Sequence, residues 1–207
     1  MNKKQGIVRA KAGLSIEDVV RASFEVLNGQ GIAKLSTRAI ATELNVSMNT
    51  VMWHIGTKDR LLELMADAIV GEAALDKLRG DWRQRAAQLL GRLRGAMLRH
   101  RDGALVVAGT FPALPSTLAF GDRLVAILLA GGAESRAVAW TAWNLFYFTL
   151  GLVQEEQRAP DALPDALQDV VGESELPSLH AVLDDFLSAD YDARFTFGIG
   201  QILGSLG

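Results

Sequence analysis

The sequence predicts an all-α protein, with an N-terminal unit of short helices over residues 1–60 and a larger helical domain over 61–207. Three observations carry this reading. Apolar residues recur at helical spacing through most of the chain, and few stretches alternate with period two. The glycines and prolines fall mostly between those periodic runs. Apolar residues make up 49% of the 207 and charged residues 22%, a globular composition with enough hydrocarbon for a sizeable core.

Ser15 is placed to cap a first helix from Ile16 to about Asn28, with Asp18 three residues on completing a capping-box arrangement. Ile16, Val19, Val20, Ser23, Phe24 and Leu27 form its buried stripe, and Gly29-Gln30-Gly31 stops it. Ser36 caps a short helix from Thr37 to Leu44. Asn45-Val46-Ser47 then forms a three-residue turn, because Asn tolerates the left-handed conformation such a turn demands. Ser47 caps a third helix from Met48 to about Ile55, Gly56-Thr57 ends it, and Thr57 caps a fourth that begins at Lys58. Longer helices are expected at about 81–100, 103–109, 116–130, 135–157, 177–188 and 192–206. The stretch 158–177 holds three prolines, five acids and one arginine, and reads as a loop with room for a turn of helix.

Two short helices joined by a three-residue turn, behind a longer bracing helix, describe a helix-turn-helix. Ile40, Ala41, Leu44, Val46, Val51 and Ile55 are its buried positions, packing on Val20, Phe24 and Leu27. That leaves Met48, Asn49, Thr50, Met52, Trp53 and His54 facing outward, with no charge from Val46 to Gly56. Exposed apolar groups in so tight a cluster mark a contact surface. A major groove admits such a helix: Asn49 suits adenine bidentately, and Met48, Thr50 or Met52 suits a thymine methyl. Arg38, Lys58 and the hydroxyls of Ser36, Thr37 and Thr57 suit phosphates. Charge agrees. Residues 1–60 carry nine bases, including Lys3, Lys4, Arg9 and Lys11, against five acids, while the whole chain is −3. A basic end on an acidic body points that end at a polyanion.

Other classes find little support. There is no cysteine, so no disulfide framework, thiolate zinc site or cysteine nucleophile. His54, His100 and His180 are far apart, and no metalloprotease, nucleophile-elbow or phosphate-loop motif occurs. His180 and Asp184 lie at i, i+4 and read as a surface hydrogen bond. No enzyme activity, metal or cofactor is expected. Ala137–Val153 is uncharged over 17 residues, short of the roughly 20 that a spanning helix needs, so a cytoplasmic protein without membrane contact is expected.

The run Leu35–Lys58 (LSTRAIATELNVSMNTVMWHIGTK) closely resembles the DNA-binding signature of the tetracycline-repressor (TetR) family. The resemblance implies DNA contacts at Thr37, Arg38, Met48, Asn49, Thr50, Met52, Trp53, His54 and Lys58. It departs at Asn45, where the family has a turn glycine, and at Met52, where it has an aromatic. Further on, the RDGA of 101–104, the GTFP of 109–112 and the FTLG of 148–151 resemble the tetracycline-repressor branch, as does Arg194–Ile199 at the start of the last helix. In that branch a histidine before the G-T-x-P turn ligates the magnesium of a drug chelate. Here that position is Val107, the arginine inside the turn is Phe111, and the drug-contacting glutamine is Arg123, while the partner-contributed glutamate is kept as Glu155. The resemblance therefore implies an apolar or aromatic effector rather than magnesium–tetracycline.

Aromatic residues for such a pocket abound at Phe111, Phe120, Trp140, Trp143, Phe146, Tyr147 and Phe148, with Thr110, Arg123, Asn144 and Glu155 as polar candidates. Thr110, Phe111, Arg123, Trp140, Trp143, Asn144, Tyr147 and Glu155 form the expected ligand set. A homodimer is expected because Ala137–Val153 is apolar all round and the last helix carries Gly198, Gly200 and Gly204, which permit close helix approach. The expected function is ligand-responsive regulation of transcription: a repressor on a palindromic double-stranded DNA operator, released by a small hydrophobic effector. The alternative is a small-molecule binding module without operator-specific DNA binding.

Overall fold

The computed structural model describes residues 13–110, 113–158, 163–172 and 174–206. Twelve α-helices and no strand occur among the described residues. The first four follow the local signals closely. Helix α1 (Ile16–Gln30) starts in a full capping box: the Ser15 hydroxyl accepts from the Asp18 N–H at 3.2 Å, and Asp18 Oδ2 accepts from the Ser15 N–H at 3.1 Å. It runs two residues past the expected Asn28. The stop is Gly31, whose φ of 79° only glycine adopts cheaply and whose N–H donates to the Leu27 carbonyl. Helices α2 (Thr37–Leu44), α3 (Met48–Ile55) and α4 (Lys58–Gly71) are capped by Ser36, Ser47 and Thr57, and Asn45 sits in the left-handed conformation at φ 52° and ψ 47°. Ile40, Ala41, Val51, Ile55 and Leu27 are buried in one apolar cluster, with Val20, Phe24, Leu44 and Val46 packed against it.

The larger domain comprises α5 (Trp82–Leu98), α6 (Gly103–Ala108), α7 (Pro115–Leu129), α8 (Ser135–Arg158), α9 (Leu163–Gly172), α10 (Pro177–His180), α11 (Leu183–Leu187) and α12 (Tyr191–Gly204). Two expectations need correction. The acidic stretch after Arg158 holds a ten-residue helix, α9, rather than a loop with one turn. The single helix expected over 177–188 breaks at Ala181 and Val182, and His180 bonds the Ser174 carbonyl at 3.0 Å instead of Asp184.

Helix α7 begins with Pro115, and its N-cap, Leu114, has no side chain able to cap. Asp67 of α4 does the work across the fold, accepting from the Thr117 N–H at 2.7 Å and the Thr117 hydroxyl at 2.9 Å. Helices α5, α8 and α12 are tied by Arg94, whose guanidinium grips Glu156 through two bonds of 3.0 and 2.8 Å and also reaches Asp192. Burial works against the Arg94 charge, but the hydrogen bonds it donates to Glu156 and Asp192 outweigh it and raise its pKa.

The three glycines of α12 do different work. A Cβ on Gly198 would stand 2.1 Å from Phe148 Cζ, so α12 needs glycine there to lie on α8. Gly200 and Gly204 meet nothing within 4 Å. Gly198→Ala should therefore cost about 1–3 kcal/mol through forced displacement of the Phe148 ring. The check is a denaturant midpoint that falls with an unchanged slope, whereas Gly200→Ala, with open space at its Cβ, should raise the midpoint by the helix-propensity gain of about 0.5–1 kcal/mol.

Candidate nucleic-acid interface and ligand cavity

The outward face of α3 is apolar, uncharged and wet. Trp53 is 82% exposed, and Met48 and Met52 are also exposed. His54 sets its ring edge-on to Trp53 at 4.7 Å. Asn49 lies open in the first turn, while the half-buried Thr50 shares a 2.8 Å hydrogen bond with the capping Ser47 hydroxyl. Thr37, half-buried at the start of α2, donates its hydroxyl to Met52 Sδ at 3.7 Å. Arg38 and Lys58 are exposed on the flanks, and among the described residues no acid pairs with either. The structure thus brings the nine candidate residues onto α2, α3 and the first turn of α4. Lys3, Lys4, Arg9 and Lys11 lie outside the described residues.

This unit is bolted to the larger domain at α1. The Ile32 N–H donates to Asp102 at 2.8 Å, the Arg101 N–H donates to Asn28 at 3.1 Å, and the His100 ring lies 4.4 Å from that of Phe24. Glu72, at the end of α4, accepts from Arg99 at 2.8 Å and faces His100 Nε2 at 2.7 Å. Burial tends to raise the Glu72 carboxyl, but the bonds to His100 and Arg99 prevail and hold it below its ordinary 4.5. A carboxyl lowered on folding adds stability above its unfolded value, and that contribution drains away as pH falls through the folded one. Melting temperature should therefore drop below about pH 4.5 more steeply in the parent than in Glu72→Gln. Coincident curves would show that this contact carries no pH dependence.

Between α4, α6, α7 and α8 lies a cavity of about 510 Å³. Its wall is mostly hydrocarbon and aromatic, with Val70, Val107, Phe120, Val125, Trp143 and Phe146 prominent. Of the expected ligand residues, Thr110 and Trp143 line it. Phe111 lies outside the described residues. Arg123 is off the wall, with its Nε buried and unpartnered. Trp140, Asn144, Tyr147 and Glu155 are also off the wall, on the exposed side of α8. Asp122, which the sequence reading passed over, lines the cavity instead.

The buried side of α8 carries Val138, Thr141, Leu145, Thr149 and Val153, while its other side exposes Trp140 and Tyr147; on α12, Phe197 is 70% exposed. A helix that reads as apolar all round thus buries one side within the chain and leaves the other bare. No described helix is long and apolar enough to cross a membrane.

Comparison with known proteins agrees with this architecture. Residues 19–65 match the family described as bacterial regulatory proteins, tetR family, and residues 75–206 match the tetracyclin repressor-like C-terminal domain. The chain is 32% identical over 192 residues to the tetracycline repressor protein class A from transposon 1721 of Escherichia coli, covering 91% of this chain and 88% of that one. Among solved structures, apo ActR from Streptomyces coelicolor superposes with a TM-score of 0.87 at 25% identity, covering 95% of this chain and 96% of ActR. BioQ bound to its double-stranded DNA operator superposes at 0.66 with 30% identity, covering 77% of this chain and 97% of BioQ. The chain belongs to the TetR family of bacterial transcriptional regulators, ligand-responsive DNA-binding repressors built from a helix-turn-helix unit and a helical ligand-binding domain.

Proposed function

We propose that the protein is a dimeric cytoplasmic repressor that holds a palindromic operator and lets go when a small aromatic effector fills the cavity. The observation that carries this is the layout of α4. Its first turn borders the α3 face at Lys58, and its far end lines the cavity with Ala66 and Val70. Fourteen residues of helix span about 21 Å, so one rigid rod joins the two sites. An effector that binds better to a conformer with misaligned α3 helices lowers DNA affinity by that differential alone.

Two copies joined through the bare sides of α8 and α12 would present two α3 helices to successive major grooves, about 34 Å apart. Within each, Asn49 reads adenine, Met48 and Met52 meet thymine methyls, and Arg38 and Lys58 hold phosphates. Magnesium–tetracycline does not fit as effector. Val107 supplies hydrocarbon where the tetracycline-repressor branch supplies an imidazole, and among the described residues no cluster of three metal-binding side chains occurs. The wall suits a fused-ring, largely apolar molecule.

Selection of genomic DNA on the purified protein at moderate salt tests the reading. Repeated recovery of one palindrome supports it. Recovery of no motif from folded protein overturns it in favour of a binding module that has no operator.

A further inference from the structure

The cavity wall is lopsided in its polar chemistry. Thr110 spends its hydroxyl proton on the Val107 carbonyl at 3.2 Å, and Thr117 spends its own on Asp67 at 2.9 Å. Both oxygens therefore offer a ligand lone pairs only. Among the described lining residues Asp122, which is exposed to solvent, is the only one with a formal charge. Among the described residues no cation pairs with it. Among the described lining residues the Trp143 indole is the one side chain left with a free donor, and it also offers a π face. Acceptors, a carboxylate and an electron-rich ring thus face an otherwise apolar space.

The neighbouring cation does not correct this balance. Arg123 follows Asp122 on α7, but successive helical residues point about 100° apart, and Arg123 is absent from the wall. Asp67, the other acid near this end of α7, is satisfied by the Ser116 and Thr117 N–H groups and the Thr117 hydroxyl.

We propose that the effector is a cation: a planar aromatic compound whose protonated amine or iminium group is held by Asp122, with its rings against Trp143 and Phe146. This rests on the cavity being the effector site, and it adds the charge of the ligand to that reading. An anion there would face Asp122, which no described cation neutralises; because Asp122 is itself exposed, solvent moderates the repulsion, and the charge selects by the surplus that remains. A cation gains the carboxylate and the indole face together.

Two dyes on one xanthene frame make the test: tetramethylrhodamine methyl ester, a cation, and fluorescein, an anion. Fluorescence anisotropy on the full-length protein should show the cation binding about tenfold more tightly or better. Asp122→Asn should erase most of that preference, bringing the two dyes to similar affinity, while Asp169→Asn on α9 leaves it intact. Ala142→Trp, which fills the cavity, should abolish binding of both dyes. Fluorescein binding as tightly as the cation, or an unchanged ratio in Asp122→Asn, would overturn the cationic ligand and leave the cavity standing as an effector site. Failure of both dyes to bind, or equal binding to Ala142→Trp, would overturn the cavity as the site as well. A gel shift with recovered operator on the same preparation, with and without the cationic dye, shows whether the DNA half of the reading survives.

Discussion

Trp53→Ala should abolish operator binding, a loss of at least a hundredfold or about 2.7 kcal/mol, while melting temperature stays unchanged. The indole is 82% exposed and packs edge-on with His54, so removing it opens no buried cavity in the free protein. On the proposed interface its value lies in what it would touch in the groove. Arg38→Ala should lose comparable affinity, because the guanidinium is exposed, has no acidic partner among the described residues, and sits on α2, the helix that would cross the backbone in the proposed complex. Lys58→Ala should weaken binding more gently and reduce the salt slope by about one unit. A Trp53→Ala protein that still binds its operator at parental affinity would move the interface off α3.

The second large effect is on stability. Arg94→Ala should cost about 2–4 kcal/mol, because it strands the mostly buried Glu156 carboxylate and removes the clamp joining α5, α8 and α12. For a chain of this size that is a fall in melting temperature of roughly 5–15 °C. Most of it comes from Glu156, since Asp192 is exposed and its ion pair is screened. Arg94→Lys should recover part of the loss, keeping the charge but not the two-pronged geometry. Because the clamp ties α12 to α5 and α8, dissociation of the proposed dimer should rise with its loss. A shift below about 1 °C would mean that packing around Phe195 holds the three helices without the charge.

The elements most legible in the sequence are those whose signals are local. Ser15, Ser36, Ser47 and Thr57 each cap the helix that directly follows, so reading the chain a few residues at a time finds them. The start of α7 is set by Asp67, some fifty residues earlier, and no local pattern contains it. The exposed set on α3 was readable because burying Val51 and Ile55 leaves only one side for Met48, Met52 and Trp53. The cavity was harder. On a helix the angular step is about 100°, so naming Arg123 in place of Asp122 changes both the facing side and the sign of the charge. Helix α8 supplied too many aromatics, and periodicity alone does not separate Trp143 and Phe146, which line the cavity, from Trp140 and Tyr147, which do not.

The absence of charge on α3 has a calorimetric consequence. In the proposed complex, most of the grip from Arg38 and Lys58 would be release of condensed counterions, an entropy that rising salt removes. Desolvating the exposed Trp53, Met48 and Met52 against thymine methyls and sugars would instead lower the heat capacity, a contribution that salt scarcely touches. As salt rises, affinity should therefore fall while the negative heat-capacity change of binding persists. The temperature at which the complex is tightest would then be set by three side chains without charge.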